Sequence, residues 1–104
     1  MFTYAVIQVC IKLPRNPVLD VISKQMIRSS SSVGANFAES LEATTVKDRA
    51  FKINISRKEI KETIYWIDIL TLLVTKPEIV LLKSEAIELA KILATIQRKI
   101  ENPT

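Results

Sequence analysis

With 104 residues and 11.8 kDa, the chain has room for one domain. It is 48% apolar and 25% charged, which describes a globular protein and excludes a disordered tail. One glycine, one cysteine and no histidine argue against a turn-rich all-β fold, glycine loops that cradle phosphate, an internal disulfide framework and a zinc finger. They also remove the commonest general base and metal ligand, so no metal, cofactor or catalytic residue is expected. No apolar leader opens the sequence and no uncharged run nears the ~18 residues of a membrane span, so a cytoplasmic protein without membrane contact is expected. The net charge is +4 and the pI near 9.4. The basic excess falls in two stretches, residues 1–28, where four basic groups face one acidic, and residues 47–62, where six face three.

The first apolar-periodic segment covers about 2–13, with Phe2, Ala5, Val6, Val9, Cys10 and Leu13 at spacings of three and four. Pro14 stops it, because the residue before a proline is pushed out of the α region. Asn16-Pro17 starts the second segment, about 17–42, with Asn16 as cap and Pro17 at the first helical position. Its stripe is Leu19, Ile22, Met26, Ser29/Ser30, Val33, Phe37 and Ser40/Leu41. The period runs unbroken through four successive serines, which predicts helix rather than linker. Gly34 lowers helix propensity by about 1 kcal/mol relative to alanine, so a packing reason for it is expected.

Thr45, with Asp48 three residues on, caps a third segment of about 46–75. Its apolar positions are Phe51, Ile55, Ile60, Ile64, Ile67, Leu70 and Val74, within a broad arc that also takes in Ile53, Trp66, Ile69 and Leu73. The fourth segment, about 78–101, has the cleanest stripe: Ile79, Leu82, Ala86, Leu89, Leu93, Ile96 and Ile100. Short connections make neighbouring helices antiparallel. The expected fold is all-α: an antiparallel up-down-up-down four-helix bundle with a short first helix. That helix covers only one end, leaving Phe37, Phe51, Ile96 and Ile100 partly uncovered and pointing to self-association.

A turn near 43–46 sets Ser32 near Arg57, Asn36 near Ile53 and Asn54, Glu39 near Arg49 and Lys52, and Gln25 near Ile64. Ser32, Asn36, Glu39 and Asn54, with Arg57 and Lys58, then form a candidate polar layer. Such a layer either fixes helix register or binds a ligand at a subunit junction. Lys47, Arg49, Lys52, Arg57, Lys58 and Lys61 lie on one helix, and Arg28 can join them from the second. This basic set reads as a phosphate-directed RNA- or DNA-binding face, or as a solvated helix surface. No aromatic stacking platform is expected beside it. Glu39, Glu59 and Glu62 supply carboxylates without a histidine for a di-metal site, Tyr4 and Tyr65 lack a nucleophile–base pair, and Cys10 sits on an apolar stripe. The expectation is a protein that is not an enzyme.

The run Gln25–Glu39 (QMIRSSSSVGANFAE) resembles the motif of the 23S rRNA intervening-sequence protein family, and Lys58–Ile67 (KEIKETIYWI) is similar to that family's third helix. With Leu13-Pro14, the likeness spans about 13–75. It implies a four-helix bundle that assembles as a ring-like homopentamer, with relatives encoded inside bacterial 23S rRNA genes. It also implies distant kinship with the accessory protein of diversity-generating retroelements, a basic pentamer that binds nucleic acid and a reverse transcriptase. Ser40 follows Glu39 where many relatives have glycine, and relatives usually have a longer first helix, which suggests a late start here. A homo-oligomeric scaffold for an unidentified protein is the competing expectation.

Overall fold

A computed structural model describes residues 1–103. Its elements are α1 (Phe2–Ile11), α2 (Pro17–Glu42), α3 (Val46–Leu73) and α4 (Pro77–Glu101). Helix α1 packs on α2 and α4, α2 on α3, and α3 on α4, while the diagonal pairs stay apart. This is the up-down-up-down bundle expected, 48 × 19 × 18 Å in extent.

Local chemistry sets the helix ends. The Asn16 side chain accepts from the backbone N–H groups of Val18 (2.8 Å) and Leu19 (3.3 Å), with Pro17 opening the helix where no donor is required. The Thr45 hydroxyl accepts from Asp48 N–H at 3.0 Å. Helix α4 begins one residue earlier than expected, at Pro77, and two helices end early. Helix α1 stops at Ile11 rather than at 13, because Lys12 and Leu13 bond back three residues, to Val9 and Cys10, in a tightened last turn before Pro14. Helix α3 ends at Leu73 rather than at 75, where Val74 turns extended.

The core consists of Val6 from α1; Leu19, Ile22, Met26 and Val33 from α2; Ile53, Ile60, Ile67 and Leu70 from α3; and Ile79, Leu82, Ala86 and Leu93 from α4. Its α3 contribution corrects the expected stripe. The buried positions are Ile53, Ser56, Ile60, Thr63, Ile67 and Leu70, a regular three-and-four repeat with two hydroxyl residues in it. Phe51 lies off that line and is 60% exposed.

Helix α1 is about 15 Å long against about 39 Å for α2. Its N-terminus lies only partway along the bundle, where the Thr3 hydroxyl donates to the Ser30 carbonyl at 3.1 Å. Beyond it α2 and α4 remain separated, leaving a cavity of about 450 Å³ whose lining includes Phe2, Val33, Gly34, Phe37, Leu89 and Leu93. Gly34 is exposed, and a methyl group added there would meet nothing within 4 Å. The packing reason expected for this glycine is therefore not found within the chain.

Candidate nucleic-acid interface

Helix α3 carries most of the charge that singled out this face, and ion pairing sorts it into two sets. Arg28, on α2, is exposed and reaches across the α2–α3 seam. Its guanidinium meets Glu59 at 3.3 Å, Glu62, and the Gln25 side-chain oxygen at 3.1 Å. Glu62 also accepts from the Trp66 indole N–H at 3.0 Å. That bond, with the Arg28 guanidinium, holds the Glu62 carboxyl below its ordinary range against an opposing push from burial. The hydrogen bond to Glu62 in turn raises the Arg28 pKa. Arg28 is thus occupied by carboxylates. Lys52 is paired with Glu39 at 2.8 Å, and Arg57 donates to the Gln97 side-chain oxygen on α4 at 2.8 Å.

Lys47, Arg49, Lys58 and Lys61 have no carboxylate within ion-pair distance among the described residues. At 3.6 residues per turn, Arg49 lies about 200° round the helix from Lys47 and is half-buried. Lys47, Lys58 and Lys61 are exposed and share the outward stripe with Asn54. No carboxylate of α3 lies on this stripe itself; Glu62 and Asp68 flank it, Glu39, Glu42 and Asp48 border its Lys47 end, and Asp68 is paired with Lys83 at 2.8 Å. Of the seven basic residues singled out from the sequence, three therefore share one open face.

The stripe also holds two residues that the sequence reading did not place in the interface. Phe51 and Tyr65, 60% and 58% exposed, complete the series Lys47, Phe51, Asn54, Lys58, Lys61, Tyr65 at alternating spacings of four and three. That spacing carries the signal, but an aromatic in a periodic helix first reads as apolar packing, as Phe51 does. Tyr65 stands edge-on to Trp66, with ring centroids 5.2 Å apart and planes at 72°.

The expected polar layer is divided. Asn36 donates to the Ser32 carbonyl at 2.9 Å and to its hydroxyl at 3.1 Å, one turn away on the same helix. Glu39 meets Lys52, Asn54 faces outward, and Arg57 reaches away to α4. The four residues thus form no single cross-helix layer, because the inward side of α3 at these levels belongs to Ile53 and Ser56. The buried hydroxyls lie elsewhere. Ser29 and Thr63 meet at 2.7 Å, and Ser56 donates to the Val33 carbonyl. Burial pushes the Cys10 thiol pKa up, against a hydrogen bond with Ser23, so it is not poised as a thiolate. No group of acidic, cysteine or histidine side chains among the described residues is arranged to hold a metal ion. No helix among them is long and apolar enough to cross a membrane.

Residues 1–95 match the family described as 23S rRNA-intervening sequence protein. A crystal structure of a protein of unknown function from Bacteroides thetaiotaomicron, assigned to the S23 ribosomal protein family, is similar to this chain. It is 31% identical, with a TM-score of 0.84, and the likeness covers 92% of this chain and 91% of that one. No functionally curated protein matches.

Proposed function

Because the chain belongs to the 23S rRNA-intervening sequence protein family, we propose that it is a bacterial, cytoplasmic, non-enzymatic bundle that binds RNA or DNA through the outward face of α3. The observation that carries this reading is the stripe of Lys47, Lys58 and Lys61. Three ammonium groups lie on one helix face with no carboxylate among them, although carboxylates neutralise Arg28 and Lys52 nearby. Lysine is a strongly hydrated point charge, so binding is directed to phosphate and tolerant of sequence. The family resemblance adds a homopentamer, in which the face repeats and weak single contacts multiply into avidity.

The test is fluorescence anisotropy with labelled RNA and DNA at two salt concentrations. Three phosphate contacts predict a loss of about 20–40-fold in affinity between ~50 and ~200 mM salt. Replacing Lys58 and Lys61 together by glutamate is expected to weaken binding and flatten the salt slope by about 2. Unchanged affinity in that double variant would remove this face from the reading.

The cavity between α2 and α4 favours a second reading, a scaffold that docks a partner protein on apolar surface. Apolar docking lacks the steep salt dependence of phosphate binding, so the same titration separates the two.

A further inference from the structure

The lysines of the α3 stripe serve a duplex and a single strand equally well, since both present phosphates. Its aromatic rings do not. In a duplex the bases are stacked on one another, and a ring on the convex surface of a helix has nothing to stack against. In a single strand every base offers a free π-face, and rings set among basic groups are how single strands are held without sequence preference. From the exposure of Phe51 and Tyr65 on the same stripe as Lys47, Lys58 and Lys61, we infer that this face takes single-stranded nucleic acid in preference to duplex, with Tyr65 as its principal stacking residue. The inference rests on the nucleic-acid reading of α3 and names its substrate.

The geometry supports this assignment. The two rings and three ammonium groups share a stripe of about 27 Å, with Lys61 about 6 Å and Lys58 about 10 Å along the axis from Tyr65. An extended strand likewise presents both phosphates and bases along its length. Tyr65 is also braced: Trp66 stands edge-on to it, and the Trp66 indole is fixed by Glu62, which Arg28 holds in turn. A ring already held in place loses little conformational freedom on stacking. Phe51 is less favoured, because it shares a shallow depression with Glu39, Glu42 and Asp48. Lys52 neutralises only Glu39 of those three. The two rings should therefore differ in importance.

The experiment compares an unstructured labelled DNA strand, longer than the ~4–16-nucleotide footprints of single-strand sites, with the same strand annealed to its complement. The full-length protein and its variants are titrated into each, and assembly mass is followed by light scattering. The wild type is expected to favour the single strand by about 10-fold, and Tyr65→Ala to abolish that preference by lowering single-strand affinity more than duplex affinity. Tyr65→Phe retains the ring and should retain the preference, and Phe51→Ala should cost less than Tyr65→Ala. Equal affinity for both forms, lost only on charge reversal at Lys58 and Lys61, would overturn the stacking role and leave phosphate binding intact. A Tyr65→Ala variant whose assembly mass falls together with its single-strand affinity would assign the ring to subunit contact and overturn the inference. Failure of the wild type to bind either form would overturn it together with the proposed function.

Discussion

Ser29 and Thr63 face each other at the centre of the α2–α3 seam, both completely buried, with their hydroxyls 2.7 Å apart. The Thr63 hydroxyl donates to the Glu59 carbonyl at 2.8 Å, so the proton between the two side chains is supplied by Ser29. Removing one partner is therefore unequal to removing the other. Thr63→Val keeps the shape and leaves Ser29 with only the Met26 carbonyl at 3.5 Å, a poor acceptor distance. This variant should lose about 1–3 kcal/mol, the cost of a stranded buried hydroxyl. Ser29→Ala leaves Thr63 with its own acceptor and should lose less. The double variant removes both partners and should be more stable than the sum of the two single losses predicts. Urea denaturation of all four proteins measures the coupling; strict additivity would mean that the two hydroxyls do not depend on each other. The same pair explains why the inward line of α3 was hard to read. A three-and-four repeat interrupted by Ser56 and Thr63 looks weaker than one through Phe51 and Ile55. Buried hydroxyls are satisfied only by partners that a single helix does not show.

At the scale of the helices, most of the architecture is written in breakers and caps. Asn16-Pro17, Thr45 and Pro77 act as starts because each deals with the donors that a helix N-terminus leaves unpaired. The serine run of α2 remains helical with its inward hydroxyls partnered: Ser30 donates to the Ile27 carbonyl at 3.3 Å and Ser29 to Thr63 at 2.7 Å. Gly34 is the position where element and surroundings disagree. It lies in helical backbone, without a positive φ and with open space where a side chain would begin. In the isolated chain, Gly34→Ala should stabilise α2 by about 0.5–1 kcal/mol, since alanine loses less backbone entropy on folding and meets no clash. The check is the melting temperature of the variant beside the wild type. A rise confirms an open helix surface. A fall, with a smaller assembly mass, identifies this as the point where a helix of another copy lies against α2, a contact that only a missing Cβ would permit.

Across the whole molecule, polarity changes along the 48 Å axis. The end where α1 and α3 finish and α2 and α4 begin exposes Ile11, Val18, Val21, Leu72, Leu73, Val80 and Leu81, each more than half accessible. The opposite end exposes Leu41 and Val46 beside Glu39, Glu42, Lys47 and Asp48. The positions of the two ends follow from topology and were legible in the order of the segments. Which apolar residues remain outside was not, because each helix carries more apolar positions than a four-helix cross-section can bury. Apolar surface on this scale is where self-association is expected, whereas the Lys47–Tyr65 stripe is where phosphate is expected, and the two respond differently to salt. Burial of apolar area is strengthened slightly or left unchanged by moderate salt, while counterion release weakens each phosphate contact. From ~50 to ~200 mM salt, the mass measured by light scattering at tens of micromolar should therefore stay constant while nucleic-acid affinity falls by about 20–40-fold. A mass that falls along with the affinity would place charge pairs, not the apolar end, at the subunit contact. A monomer at every salt concentration would leave each subunit to bind alone through three lysines, without the avidity of a repeated face.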